Sequence, residues 1–100
     1  MRIIARHTLV ELYRKHPAAK ASLEHWYQVA KVSEWKTPLE VTGSFSKAKV
    51  VSEDRVRFEI QGGNFRMIVA FDFARSIAFI KFLGTHAEYD KIDAATVNLF

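Results

Sequence analysis

Between Arg55 and Asp90 the chain reads RVRFEI, QGG, NFRMIVAFDF, ARS, IAFIKFLG and THAEYD. Three of these runs alternate apolar and polar residues with period two, the pattern of strands buried on one face. Gly62-Gly63 suits a tight turn because glycine reaches positive φ without a steric penalty. With those glycines as the loop, Ile60 pairs with Phe65, Glu59 with Arg66 and Phe58 with Met67. With Ala74-Arg75 as the next tip, Ala78 opposes Phe71, Ile80 opposes Val69, Lys81 opposes Ile68 and Phe82 opposes Met67. The count puts Arg55, Arg57, Arg66 and Lys81 on one face, with Glu59 beside Arg66. The other face collects Val56, Phe58, Ile60, Phe65, Met67, Val69, Phe71, Ile80 and Phe82, a core. A four-residue loop keeps this parity; an odd loop or a bulge flips a strand.

Upstream the period changes. Arg2–Ala5 (RIIA) is a short apolar segment that suits an edge strand. Thr8 followed by Glu11 has capping-box spacing, and Leu9, Leu12, Tyr13 and His16 then share a helical face that Pro17 ends. A second helix over about 18–31 carries Ala19, Leu23, Trp26, Tyr27 and Ala30 as its apolar stripe. Trp26 and Tyr27 could stack on bases, but a stripe at helical spacing reads first as core. Thr37-Pro38-Leu39-Glu40 combines an N-cap, a first-turn proline and an acidic third position, predicting a short helix that closes near Gly43. Trp35 and Val41 pin it to the core. Residues 47–51 form a strand whose facing the count leaves open, since a two-residue turn at Glu53-Asp54 puts Lys49 on the core side. The order predicts an α+β fold over a single domain, 1–100: N-terminal helices packed on one face of an antiparallel β-sheet meander, with the cationic face uncovered.

Composition adds limits. The chain has 100 residues, 49% hydrophobic, with 15 Lys/Arg against 11 Asp/Glu and a formal charge of +4. That balance favours polyanionic or acidic partners, and the placement of the charges matters more than their sum. With no cysteine, disulfides, thiolate zinc sites and cysteine nucleophiles are excluded. No apolar run approaches the roughly 20 residues of a membrane span. The opening MRIIARHTLVELYRKHP is charged throughout, unlike a signal peptide. A cytoplasmic protein without a membrane association is expected.

The cationic face has an ordinary explanation, a solvated sheet surface on which Glu59 and Arg66 form a cross-strand ion pair. Two features argue for more. Positive charges outnumber negative ones there by three, and Arg66 and Lys81 sit mid-strand among Ile68, Ala70 and Phe79, where a cation without an anionic partner is costly. A phosphate would match, because arginine forks bind it bidentately. At the exit of the Lys81 strand, Thr85 and Glu88 make a capping box. By itself this predicts a capped helix with an exposed histidine. Beside a phosphate-binding patch, His86 becomes a proton donor or acceptor near neutral pH, and Tyr89 a stacking or hydroxyl group. The four histidines (7, 16, 25 and 86) are too scattered for a metal site. There is no glycine-rich phosphate loop and no nucleophile elbow around Ser44 or Ser46.

Gly62–Val69 (GGNFRMIV) and Phe79–Asp93 (FIKFLGTHAEYDKID), with Trp35-Lys36-Thr37-Pro38 and the opening RIIA, resemble the HigB toxins of bacterial type II toxin–antitoxin systems. The resemblance spans nearly the whole chain, and Gly-Thr-His-x-Glu-Tyr-Asp is its most specific part. It implies a RelE-like (RelE/ParE-like) fold and a metal-independent, ribosome-dependent mRNA endonuclease, an mRNA interferase that inhibits translation and needs no cofactor. It implies a HigA-type helix-turn-helix antitoxin as partner, the ribosome and translated mRNA as targets, and a toxin that is monomeric alone and joins its antitoxin in a heterocomplex. Carried over by position, the motif marks Arg66, Lys81, His86 and Tyr89 as catalytic; beside them the cationic face offers Arg55, Arg57 and Asn64 to bind RNA. Two alternatives fit the same residues: a non-catalytic ParE-like poison of DNA gyrase, and a basic RNA- or antitoxin-binding domain without catalysis.

Overall fold

The computed structural model describes residues 1–100. Strand β1 (Arg2–Ile4) leads into helix α1 (Arg6–Lys15), a single 3₁₀ turn (Pro17–Ala19), helix α2 (Lys20–Val32) and helix α3 (Pro38–Gly43). Strands β2 (Ala48–Val50), β3 (Arg55–Ile60), β4 (Phe65–Asp72) and β5 (Ile77–Thr85) follow, then the one-turn helix α4 (His86–Tyr89). The sheet order is β1-β5-β4-β3-β2, with β2 to β5 an antiparallel meander and β1 parallel to β5 at the edge. Helices α1 and α2 cover one face, so the α+β layering and the RIIA edge strand are as expected.

The helix signals have mixed outcomes. Thr37 caps α3, its hydroxyl accepting from the Glu40 N–H, with Pro38 in the first turn. Thr8 does not cap α1. The helix opens at Arg6 with Ala5 as an N-cap that offers no side-chain acceptor. Starting earlier places Thr8 in the first turn, where it is buried with its hydroxyl unpaired. On α2, Leu23, Trp26 and Ala30 are fully buried and Tyr27 is half-buried. Trp26 meets Phe58 edge-on at 5.5 Å, so the stripe is core.

The first hairpin has the counted register: Ile60 opposite Phe65, Glu59 opposite Arg66, Phe58 opposite Met67. The second departs from it. Ala78 opposes Phe71 and Ile80 opposes Val69, but Phe82 opposes Ile68 and Leu83 opposes Met67. A bulge therefore leaves Lys81 without a partner and reverses the facing of the residues after it. Leu83 joins the helix-side core, while Phe82 moves to the cationic face, where its ring lies 6.1 Å from Tyr89. Lys81 stays on the cationic face, its ammonium 5.4 Å from the Phe79 ring centroid. Lys49 pairs with Arg57 and so joins that face as well.

The cationic face is not uncovered. Ile68 there is 0% exposed and Ala70 8%. Residues after α4 cross it: Arg55 Nη1 donates to the carbonyls of Ala94 (3.1 Å) and Val97 (2.8 Å), and Lys81 Nζ donates to Asn98 Oδ1 (2.9 Å). The Leu99 N–H then donates to the Lys81 carbonyl at 3.0 Å. This segment was invisible to strand counting because its side chains alternate with no period.

Candidate active site

Hairpin geometry brings Arg57, Glu59 and Arg66 together. Arg57 Nη2 and Arg66 Nη2 each lie 3.7 Å from a different oxygen of the Glu59 carboxylate. The three side chains are 21%, 15% and 24% exposed, so the cluster is partly desolvated and its charges interact more strongly than surface pairs do. The Nε–H groups of both arginines are buried without an acceptor. One carboxylate between two guanidiniums leaves the cluster with a net positive charge, which suits an anion such as a phosphate.

Arg66 is placed for this by its neighbours. It opposes Gly84 on β5, and its guanidinium carbon sits 5.4 Å from the Tyr89 ring centroid, a cation–π distance. Tyr89 is brought there by α4. Thr85 Oγ1 accepts from the Glu88 N–H (3.2 Å) and the Glu88 carboxylate accepts from the Thr85 N–H (2.8 Å), the full capping box. The hydrogen bonds from the Thr85 backbone, then from its side chain, hold the Glu88 carboxyl below the ordinary glutamate range.

His86 opens the same helical turn. Its backbone N–H donates to the Asn64 carbonyl at 3.2 Å, fastening α4 to the β3–β4 turn. Its Nδ1 lies 3.2 Å from Asp90 Oδ2. The carboxylate stands beside Nδ1 without a formed hydrogen bond, and Nε2 lies on the other side of the ring. The imidazole is 54% exposed and open to substrate. The sequence motif does not by itself mark Asp90 as a site residue, although a histidine and a carboxylate four residues apart at a helix start are a readable signal. Strand pairing predicts Glu59 as the partner of Arg66 alone; its hold on Arg57 as well follows from alternation along one strand.

Of the residues marked in the sequence, Arg57 and Arg66 meet at Glu59, Tyr89 lies against Arg66, and His86 is tied to Asn64 through the backbone. Arg55 and Lys81 lie on the same face, but both are hydrogen-bonded to the crossing segment 94–98.

Residues 19–92 match the family model described as HigB_toxin, the RelE-like toxic component of a toxin–antitoxin system. The chain belongs to this family. A curated relative, the mRNA interferase HigB of Escherichia coli O6:H1, is 30% identical over 94 residues, covering 92% of this chain and 91% of its own length. The matched span contains the whole Arg57–Glu59–Arg66 cluster, Tyr89 and His86. No helix of the fold is long and apolar enough to cross a membrane.

Proposed function

We propose that this toxin is an endoribonuclease that cleaves mRNA by attack of the 2′-hydroxyl on the adjacent phosphate. The observation that carries the proposal is a histidine with a carboxylate beside its Nδ1, on the same helical turn as the tyrosine that lies against Arg66. In-line attack needs a base for the 2′-hydroxyl, positive charge for the phosphorane, and a proton for the departing 5′-oxygen. His86 Nε2 takes the 2′-hydroxyl proton, with Asp90 beside the imidazole, and a water on the far side of the phosphorus gives the departing 5′-oxygen its proton. Arg66 stabilises the phosphorane charge and Tyr89 holds Arg66 or stacks on a neighbouring base. Arg57 and Asn64 position the backbone. The products of such a step are a 2′,3′-cyclic phosphate and a 5′-hydroxyl.

Arg55 and Lys81 enter this scheme through the field they add to the face, since the crossing segment already engages their side-chain nitrogens. Single-stranded RNA suits the surface, with cations for phosphates and aromatic rings for bases. We extend the reading to translated mRNA on the ribosome, to neutralisation by a HigA-type helix-turn-helix antitoxin, and to a cytoplasmic site of action. Family membership and the resemblance of the motif support each of these. The gyrase-poison and pure-binding alternatives gain nothing from the His86–Asp90 pair.

The test is primer extension on mRNA from cells briefly expressing the chain, beside Arg66→Ala and His86→Ala. New cuts within reading frames are expected, reduced at least a hundredfold in either variant, because general acid–base catalysis alone contributes roughly 10²–10⁴-fold. Growth arrest with intact mRNA, or full cutting by both variants, would reject the assignment.

A further inference from the structure

The cations that strand register places on the sheet face differ in what they meet. Arg57 and Arg66 share Glu59. Arg55 and Lys81 are hydrogen-bonded to the crossing segment 94–98. Lys49 on β2 is exposed and forms none of the ion pairs of the structure, which involve Arg57, Arg66, Arg75 and His86. It stands directly opposite Arg57 in the β2–β3 ladder. Like charges directly opposite one another on a sheet repel. An anion seated at the pair removes that repulsion, and Glu59, the carboxylate at hand, is already held between Arg57 and Arg66.

The positions also fall in a line across the strands. Tyr89 lies against Arg66 on β4, Arg66 and Arg57 meet at Glu59 on β3, and Arg57 faces Lys49 on β2, the edge of the sheet. Each step moves one strand outward, about 4.8 Å. On the side of Arg55 and Lys81 the segment 94–98 lies across the same face. A strand of RNA leaving Arg57 therefore has its open way over β2. A lysine on an edge strand also discourages pairing with a second sheet, but that role does not require it to face an arginine.

We propose that Lys49 is a positioning residue of the nuclease. It holds the phosphate next to the one at Arg57, so that the message lies across the strands from Tyr89 to the β2 edge. The inference rests on the nuclease reading above and extends it to the path of the substrate. The ammonium on its flexible four-carbon stem can follow a phosphate as a point charge, while the arginines fix the one beside it. A cationic track ending at an aromatic ring is how single-stranded RNA is bound without regard to sequence.

The test is fluorescence anisotropy with a short labelled single-stranded RNA carrying 2′-O-methyl groups, which lacks the attacking hydroxyl and is not cut. Affinity is followed against salt for the parent, Lys49→Ala, Lys49→Arg and Arg75→Ala. Arg75 is the control for loss of one charge, since it is 79% exposed on the β4–β5 turn and paired with Asp72. The slope of log affinity against log salt should become shallower by about 0.7 in Lys49→Ala, the value of one phosphate contact on a single strand. It should return in Lys49→Arg and stay at the parent value in Arg75→Ala. An unchanged slope in Lys49→Ala overturns the inference, and self-association of that variant would then assign Lys49 to guarding the edge. A parent that binds no RNA even at low ionic strength overturns it too, as does an equal change in Arg75→Ala. Cutting is scored separately by primer extension. If the parent cuts nothing, the nuclease reading falls, and a slope lowered only in Lys49→Ala still upholds Lys49 as a phosphate ligand.

Discussion

Gly84 shows how a residue with no side chain shapes the site. It opposes Arg66, and a Cβ added to it would lie 2.9 Å from Glu88 Oε1 and 3.0 Å from Phe82 Cζ. Neither neighbour moves freely: the Glu88 carboxylate is engaged by the Thr85 N–H, and the Phe82 ring is buried between the sheet and Tyr89. Gly84→Ala should therefore lower unfolding stability by about 1–3 kcal/mol, as overpacking does, and disturb α4 as well. Urea denaturation checks the first effect; an unchanged midpoint would show that the ring and cap can give way. At this scale the sequence was informative wherever alternation was unbroken. Arg57, Glu59 and Arg66 could be brought together by counting from Gly62-Gly63. Counting puts Phe82 on the core face opposite Met67 and is wrong there, because one unpaired residue at Lys81 reverses the facing of everything after it, and bulges leave no compositional mark in a run such as FIKFL.

Among the elements, α4 is the shortest helix and carries the most chemistry. A helix of four residues has no cooperative length of its own, so its caps and its fastening to the β3–β4 turn decide whether it forms. Thr85→Ala should cost about 1 kcal/mol and loosen His86 and Tyr89 together. Glu88 makes the same element sensitive to acid. Its carboxyl titrates below the ordinary range in the folded chain. Its contribution is therefore present above the unfolded-state value and lost as pH falls through the folded one. Glu88→Gln keeps an acceptor for the Thr85 N–H but no charge. The stability advantage of the parent over Glu88→Gln, measured by urea unfolding, should be present at pH 7 and shrink steadily as the pH falls into the range where carboxylates protonate. A pH-independent difference would mean that the charge itself contributes nothing. The THAEYD signature announced this helix well, because capping is local. The N-terminal helix misled for the complementary reason: Thr8 and Glu11 have the right spacing, but the turn out of β1 starts the helix at Arg6 and overrides them.

Over the whole molecule, the sheet is fully covered on its helix side and partly covered on the other, and the second cover was the part least legible beforehand. Helices announce themselves by period, and so the helix-side core could be named almost completely. The segment 93–99 has no such period, yet it crosses the opposite face from β3 to β5 and sits over a surface where Ile68 is wholly buried. Arg55 holds it there with two charge-assisted hydrogen bonds to carbonyls, the kind worth about 1.5–3 kcal/mol each when the partner is charged. Arg55→Ala removes both donors and leaves the two carbonyls free to reach water as the segment lifts, so the net loss should be smaller than their sum, about 1–3 kcal/mol. The local consequence is sharper. The Leu99 amide, bonded to the Lys81 carbonyl, should exchange with solvent at least tenfold faster in Arg55→Ala. The Met67 and Val69 amides in the central strand should exchange more slowly than Leu99 and follow only the global change. If the Leu99 rate stays at the parent value, Arg55 is not what fastens the segment, and its guanidinium becomes available as a direct phosphate ligand beside Arg57.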